Sequence, residues 1–248
     1  MRTTWVGSLR IIIMLVIGLM ALALAKNDPI GKINFILGAP GDVRLVRAGS
    51  ASWESAKLYG TIYNGDQLKT AQESRCEIKL AENRGLIRIG ENTNFIFQQD
   101  QLANKFNSEL SKGRIWANIR HVGQKGQFQL KTPTAVCAIR GTIYRIDADS
   151  TTRVLVYQGA VDVGPLWAVK SDSSRPGEPR ILQQPYEVPG PTQVPGPYEV
   201  SLEQWVRIVA GQQIEIRGDG KYNKTSIDQQ IDSNDDWVQW NKRRDGLE

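Results

Sequence analysis

The 248 residues contain one histidine, His121, and two cysteines, Cys76 and Cys137. A single histidine allows at most one imidazole-dependent catalytic device. The setting of His121, "NIRHVGQKG", reads as a strand running into an exposed loop, where a solvated histidine is the ordinary outcome. No HExxH, CxxC or His-rich tract is present, which argues against a zinc or redox centre. Two cysteines do not make a disulfide scaffold, although an exported chain can form one bridge from them. The 31 Lys and Arg, against 26 Asp and Glu, are scattered singly, without basic clusters and interleaved aromatics. That pattern is a mixed-charge surface and not a nucleic-acid footprint. "DADS", residues 147–150, lacks the further oxygen ligands of a calcium loop. Asp66 and Asp162 would form a glycosidase-type carboxylate pair only if the fold brought them to one cleft. The chain is therefore read as non-enzymatic, with no catalytic residue, metal or cofactor assigned.

What is present begins with "IIIMLVIGLMALALA", residues 11–25, an unbroken apolar run preceded by Arg2 and Arg10 and followed by "KNDP". A basic start, a short apolar stretch and a small-x-small end at Ala23-Leu24-Ala25 are the layout of a signal peptide spanning 1–25. Fifteen helical residues rise about 22 Å, short of a hydrocarbon core of roughly 30 Å. The expectation is export to the periplasm or beyond, with a mature chain starting at Lys26. An uncleaved inner-membrane anchor is the rival, and it is the only membrane contact the sequence offers. Loss of the two arginines takes the formal charge from +5 to +3.

From residue 30 the pattern has a period of two. In "RCEIKLA", Cys76, Ile78 and Leu80 share one face and Arg75, Glu77 and Lys79 the other, as in a half-buried strand. "ENRG", 82–85, reads as a turn, and Asn64-Gly65 as a hairpin connection. Turn residues recur every 8–12 positions, the spacing of an all-β sandwich, barrel or solenoid. The β domain is bounded at 30–165. Eight of the eleven prolines lie between Pro165 and Pro197, so 166–200 reads as a Pro/Gly-rich arm or linker. A short β or helical segment, 201–224, follows, in which Ser201 and Gln204 would cap a helix bearing Leu202, Trp205, Val206 and Val209. Residues 226–245 read as a C-terminal helix, with Ser226 or Ser233 as N-cap, acids first, bases last and Gly246 just beyond. Trp237 and Trp240 share one face of it and serve to dock it.

In "TPTAVCAIRGTIYRI", 132–146, Pro133 belongs at a strand's first residue. Gly141 breaks the alternation, so Arg140-Gly141-Thr142 reads as a corner between two strands. Here the sequence resembles the FecR-type domain, an exported β-rich module. Its run of Thr132, Pro133, Thr134, Ala135 and Val136, ending in Arg140, Gly141 and Thr142, matches the family's most typical motif. The resemblance extends to Val43, Trp53, Ala56, Gly65, Asp66 and Thr70, to "GRIWANI", and to "VLVYQGAVDV" with Gly159 at its turn. It covers about residues 42–163.

The resemblance implies an all-β, elongated and twisted β-helix or sandwich-like fold, here followed by the Pro-rich arm and short helix. It does not imply an enzyme, and the chain is read as a binding or scaffold module of the cell envelope, with a protein or glycan as partner. The family's membrane-spanning sigma-factor regulators carry a cytoplasmic segment ahead of their span. Only ten residues precede the apolar run here, so a sigma-binding role is not carried over; an anchored regulator lacking that segment is the alternative. Cys76 and Cys137 both face inward by parity. Either they are two buried thiols, or they pair across stacked strands if their Cα atoms lie within about 7 Å.

Overall fold

The computed structural model describes residues 28–100, 105–120, 127–166, 200–201 and 205–247. The segment 1–25, His121 and nearly all of the proline-rich arm lie outside the described residues. Among the described residues no helix is long and apolar enough to cross a membrane.

Among the described residues nineteen strands form two curled layers. The first ten are β1 (Gly31–Leu37), β2 (Val43–Val46), β3 (Trp53–Ser55), β4 (Thr61–Ile62), β5 (Gln67–Thr70), β6 (Arg75–Leu80), β7 (Gly85–Ile89), β8 (Asn94–Ile96), β9 (Gln99–Asp100) and β10 (Lys105–Ile119). The others are β11 (Gln127–Lys131), β12 (Val136–Ile139), β13 (Ile143–Ala148), β14 (Thr151–Gln158), β15 (Ala160–Gly164), β16 (Val200–Ser201), β17 (Val206–Val209), β18 (Gln212–Arg217) and β19 (Lys221–Ser226). Sheet A runs β4-β1-β6-β7-β10-β13-β14-β18-β19-β16, antiparallel throughout. Sheet B runs β3-β2-β5-β8-β10-β11-β12-β15-β17, with β10 and β11 parallel and β9 paired to the start of β10.

β10 belongs to both layers. Residues 105–112 pair in sheet B and residues 113–119 in sheet A. The crossover is Gly113, at φ +100°, where any side chain would run into Thr93. Thr93 Oγ1 instead accepts from the Arg114 amide at 3.0 Å.

On either side of β10 the chain repeats one unit: a strand in sheet B, a hairpin in sheet A, and a return strand in sheet B. In the first, β5 pairs with β8 and β6 with β7; in the second, β12 pairs with β15 and β13 with β14. A third begins as β17, β18 and β19 but has no return strand. The chain leaves β19 for helices α1 (Gln229–Asn234) and α2 (Asp236–Asp245).

Period-two alternation fills the space between the layers. Ile78, Ile87, Phe95, Leu110, Ile115, Leu130, Ile146, Val154, Val161 and Ile214 are all sealed from solvent there. Burial of such side chains is worth about 1.5–3 kcal/mol each, an upper range because unfolded chains already bury some surface. Cys76 and Cys137 point into this interior as free thiols. They belong to different units, on opposite sides of β10, so of the two alternatives the structure has the pair of buried thiols and not the bridge.

Helix α2 covers the outer face of sheet A. Trp237 and Val238 close over Trp116 and Ile143, with Tyr157 and Trp240 at the margin. Trp237 and Trp240 stack at 5.5 Å. Gly246 takes the left-handed cap at φ +67°.

Several sequence readings are corrected. Asn64-Gly65 does not close a hairpin: β4 pairs with β1 in sheet A and β5 with β2 and β8 in sheet B, so the turn passes between layers. Residues 206–209 are strand, not helix; their alternation places Ile208 inside and Arg207 outside, and pairing with β15 overrides the weak helical spacing. Gln204 lies outside the described residues, and Ser201 ends β16. The C-terminal helix is broken at Asp235 (φ −80°, ψ 113°), and the caps are Asp228 and Asp235 in place of Ser226 and Ser233. Their carboxylates accept backbone amides at both helix starts. Pro133 sits in the turn between β11 and β12 and not in a strand.

Candidate binding face

The residues singled out by the sequence divide into two groups. Thr132, Thr134 and Thr142 hold turns. Thr132 Oγ1 accepts from the Ala135 amide at 3.0 Å and donates to its carbonyl at 2.9 Å, pinning Pro133 and Thr134 into a tight loop. Thr134 Oγ1 donates to the Ile216 carbonyl at 3.1 Å, tying that loop to β18. Arg140, Gly141 and Thr142 carry the chain from β12 in sheet B to β13 in sheet A. Gly141 has φ +57°, and Thr142 Oγ1 donates to the Ala160 carbonyl at 2.8 Å. Ala135 and Val136 are buried.

Gly65 and Asp66 organise the β4–β5 turn. Gly65 has φ +82°. Asp66 is buried; its carboxylate accepts from Tyr63 N at 2.9 Å and pairs with Arg47 at 2.6 Å. Trp53 is half-buried, with Lys69 Nζ 4.2 Å above its ring. Asp66 and Asp162 lie five strands apart in sheet B, so they form no carboxylate pair. Among the described residues no group of three or more His, Cys, Asp or Glu side chains is placed to hold a metal.

Arg140 differs from its neighbours in the motif. Its side chain is exposed and makes no hydrogen bond or ion pair among the described residues, contrary to a role in satisfying the corner. It opens onto a recess of about 650 Å³ on the outer face of sheet B, lined also by Gln129, Ala138, Asp162, Trp205 and Arg207. Strand register builds this face. Gln129, Ala138, Asp162 and Arg207 stand directly opposite one another across β11, β12, β15 and β17. Asp162 and Arg207 form a two-pronged pair at 2.7 and 2.9 Å, and the guanidinium holds the Asp162 carboxyl below its ordinary range. One row along, Trp205 lies over Gly164: a Cβ at Gly164 would stand 2.7–2.8 Å from three indole ring atoms.

A second recess, of about 350 Å³, lies between sheet A and α1. Its charges are satisfied internally. Arg145 pairs with Asp147 and Asp235, both at 2.9 Å, and Arg153 with Glu215 at 2.8 Å. Tyr157 donates to Asp232 at 2.7 Å, and burial, together with that carboxylate, pushes its phenol well up. Of these two recesses, the one on sheet B has charge to spare. The sequence reading misses it because the spacing of Trp205, Val206 and Val209 fits a short helix; strand alternation at 206–209 is the available signal.

Residues 66–162 match the family model described as FecR protein. No curated protein matches. Two crystal structures of a candidate anti-sigma factor from Parabacteroides distasonis are similar at 14% identity, with TM-scores of 0.47 and 0.46. The likeness covers 66% of this chain and 61% of that one. The matched span takes in Asp66, the run from Thr132 to Val136, the Arg140–Thr142 corner and the β12–β15 pair beneath the recess, and on it the chain carries a FecR-type domain.

Proposed function

We propose that the protein is an exported, non-enzymatic binding module of the cell envelope, and that the sheet B recess is its ligand face. The observation that carries this reading is Arg140, an exposed guanidinium that makes no hydrogen bond or ion pair among the described residues, set in one recess with an exposed indole. Recesses with a few convergent polar groups and an aromatic wall are the usual form of a ligand site. The non-enzymatic part is supported by the state of the carboxylates: Asp66 is buried among its partners, and Asp162 is held by Arg207.

Retention of envelope components from an extract on the immobilised protein tests the reading. Arg140→Ala and Trp205→Ala should each abolish it while leaving the melting temperature unchanged. The apolar run of residues 11–25 favours one other reading, a membrane-anchored regulator component. Sequencing the mature N-terminus separates the two, since a chain starting at Lys26 excludes the anchor.

A further inference from the structure

Resting on the reading that this face holds the ligand, we infer that the recess is a subsite for an acidic oligosaccharide, with a sugar ring on Trp205 and a uronate-type carboxylate on Arg140. The indole has one face against the backbone of Gly164 and remains 44% exposed. An aromatic plane sealed on one side and open on the other offers a platform to the flat apolar face of a pyranose. The floor beyond it is Ala138 and Ala160, small enough to leave the sheet flat. Gln129 and Arg207 stand beside that floor with donors and an acceptor within reach of hydroxyl groups.

Charge selects the acid. The recess holds two guanidiniums and one carboxylate, and both oxygens of Asp162 are engaged by Arg207. Arg140 is left with a planar fork of donors, the shape that binds a carboxylate by two parallel hydrogen bonds.

Register sets the length. Val163 pairs with Val206, which puts Trp205 beside Gly164; Ile139 pairs with Val161, which puts Arg140 beside Ala160. Gly164 and Ala160 are four residues apart on β15, about 13 Å at the usual strand rise. One sugar unit does not span that distance, so ring and carboxylate belong to different units of a chain.

A peptide fits less well. Strand addition needs free backbone on an edge. On β17 the Arg207 carbonyl accepts from Lys224 Nζ at 2.9 Å, and the Val209 amide donates to Gln212 Oε1 at 3.1 Å.

Binding of hexagalacturonate to the mature protein, measured by calorimetry, tests the assignment. The carboxyl-reduced hexamer, galacturonate monomer and hexaglutamate serve as comparisons. The hexamer should bind about tenfold or more tighter than each of these. Trp205→Ala, Arg140→Ala and Gly164→Ala, the last displacing the indole, should each weaken it by about tenfold or more at an unchanged melting temperature. Equal binding of hexaglutamate or of the reduced hexamer overturns the assignment. So does failure of galacturonate, mannuronate and glucuronate oligomers alike to bind. If envelope retention still depends on Arg140 and Trp205 in that case, the ligand face stands and only the sugar falls; if retention ignores both residues, the face falls too.

Discussion

Arg88 and Glu77 face each other across β6 and β7 at 2.7 Å, and their side chains are only 2% and 4% exposed. Both belong to the polar, outward parity of their strands. Helix α2 converts that outward face into an interior one. Asp245 takes the other end of Arg88 at 2.7 Å, and its second oxygen accepts from Trp116 Nε1 at 2.7 Å. Asn34 donates to Glu77 at 2.8 Å, and Arg244 reaches it at 3.1 Å. The ions are thus paired and hydrogen-bonded, which is the condition for burying them without a large penalty.

Asp245→Ala should destabilise the protein by about 3–5 kcal/mol, because it leaves Arg88 short of a buried partner and Trp116 Nε1 without an acceptor. Urea unfolding followed by tryptophan fluorescence measures this, since Trp116, Trp237 and Trp240 all report on the contact. A loss under 1 kcal/mol would mean that α2 holds by apolar packing alone.

Burial alone would raise the Glu77 carboxyl; the hydrogen bonds from Arg88 and Asn34 and the charges of Arg88 and Arg244 outweigh it and hold the group below its ordinary value. A depressed folded-state value means that its stabilisation is complete above the unfolded value, about 4.3. It is lost as pH falls from there through the folded value. Urea midpoints should fall below about pH 4, and Glu77→Gln should flatten that acid limb while lowering stability near neutrality. An unchanged limb would assign acid sensitivity to other carboxylates.

Gly141→Val should cost at least about 1–2 kcal/mol through the left-handed conformation it imposes on a β-branched residue. Arg140→Ala, one position away, should leave the thermal midpoint where it is, since that side chain makes no hydrogen bond or ion pair among the described residues. Equal losses for both would show Arg140 to be structural and remove it from the ligand face.

Tyr144 is sealed in the core, and its hydroxyl has no hydrogen-bond partner among the described residues. A buried hydroxyl without a partner forfeits its hydration for nothing, on the order of 1–3 kcal/mol. Tyr144→Phe should therefore be neutral or stabilising in thermal melts. A clear loss would reveal a polar partner at that position.

Burial pushes the thiols of Cys76 and Cys137 up, Cys137 to about 12, which suppresses the reactive thiolate. Iodoacetamide should leave the native protein unmodified. After denaturation without reductant it should add two groups by intact mass, whereas none would show a bridge.

Strand identity was legible wherever one face stayed wet. "RCEIKLA" declared β6 by its alternation, and "ENRG" declared the β6–β7 turn. The corner at Gly141 and the glycine cap at Gly246 were legible for the same reason, that few residues tolerate those conformations. The burial of Glu77 and Arg88 was not, because local alternation assigns them to solvent and only a helix some 150 residues later covers them. The separation of Cys76 from Cys137 was equally hidden: parity gives the face of a strand but not the unit to which it belongs. The proposed ligand face escaped because its rows are set by register between strands distant in sequence, from Gln129 to Arg207.

Gly113 lets one strand serve two sheets, which matters while the chain is being made. Residues 28–100 can lay β7, β8 and β9 against one side of β10. Its other side is filled only when β11 and β13 arrive. Until then the half-made molecule carries a bare strand margin, the kind of edge that recruits other chains. A chain severed between β10 and β11 would keep that margin permanently, so the leading half is expected to aggregate when made alone and to become soluble again when the trailing half is supplied with it.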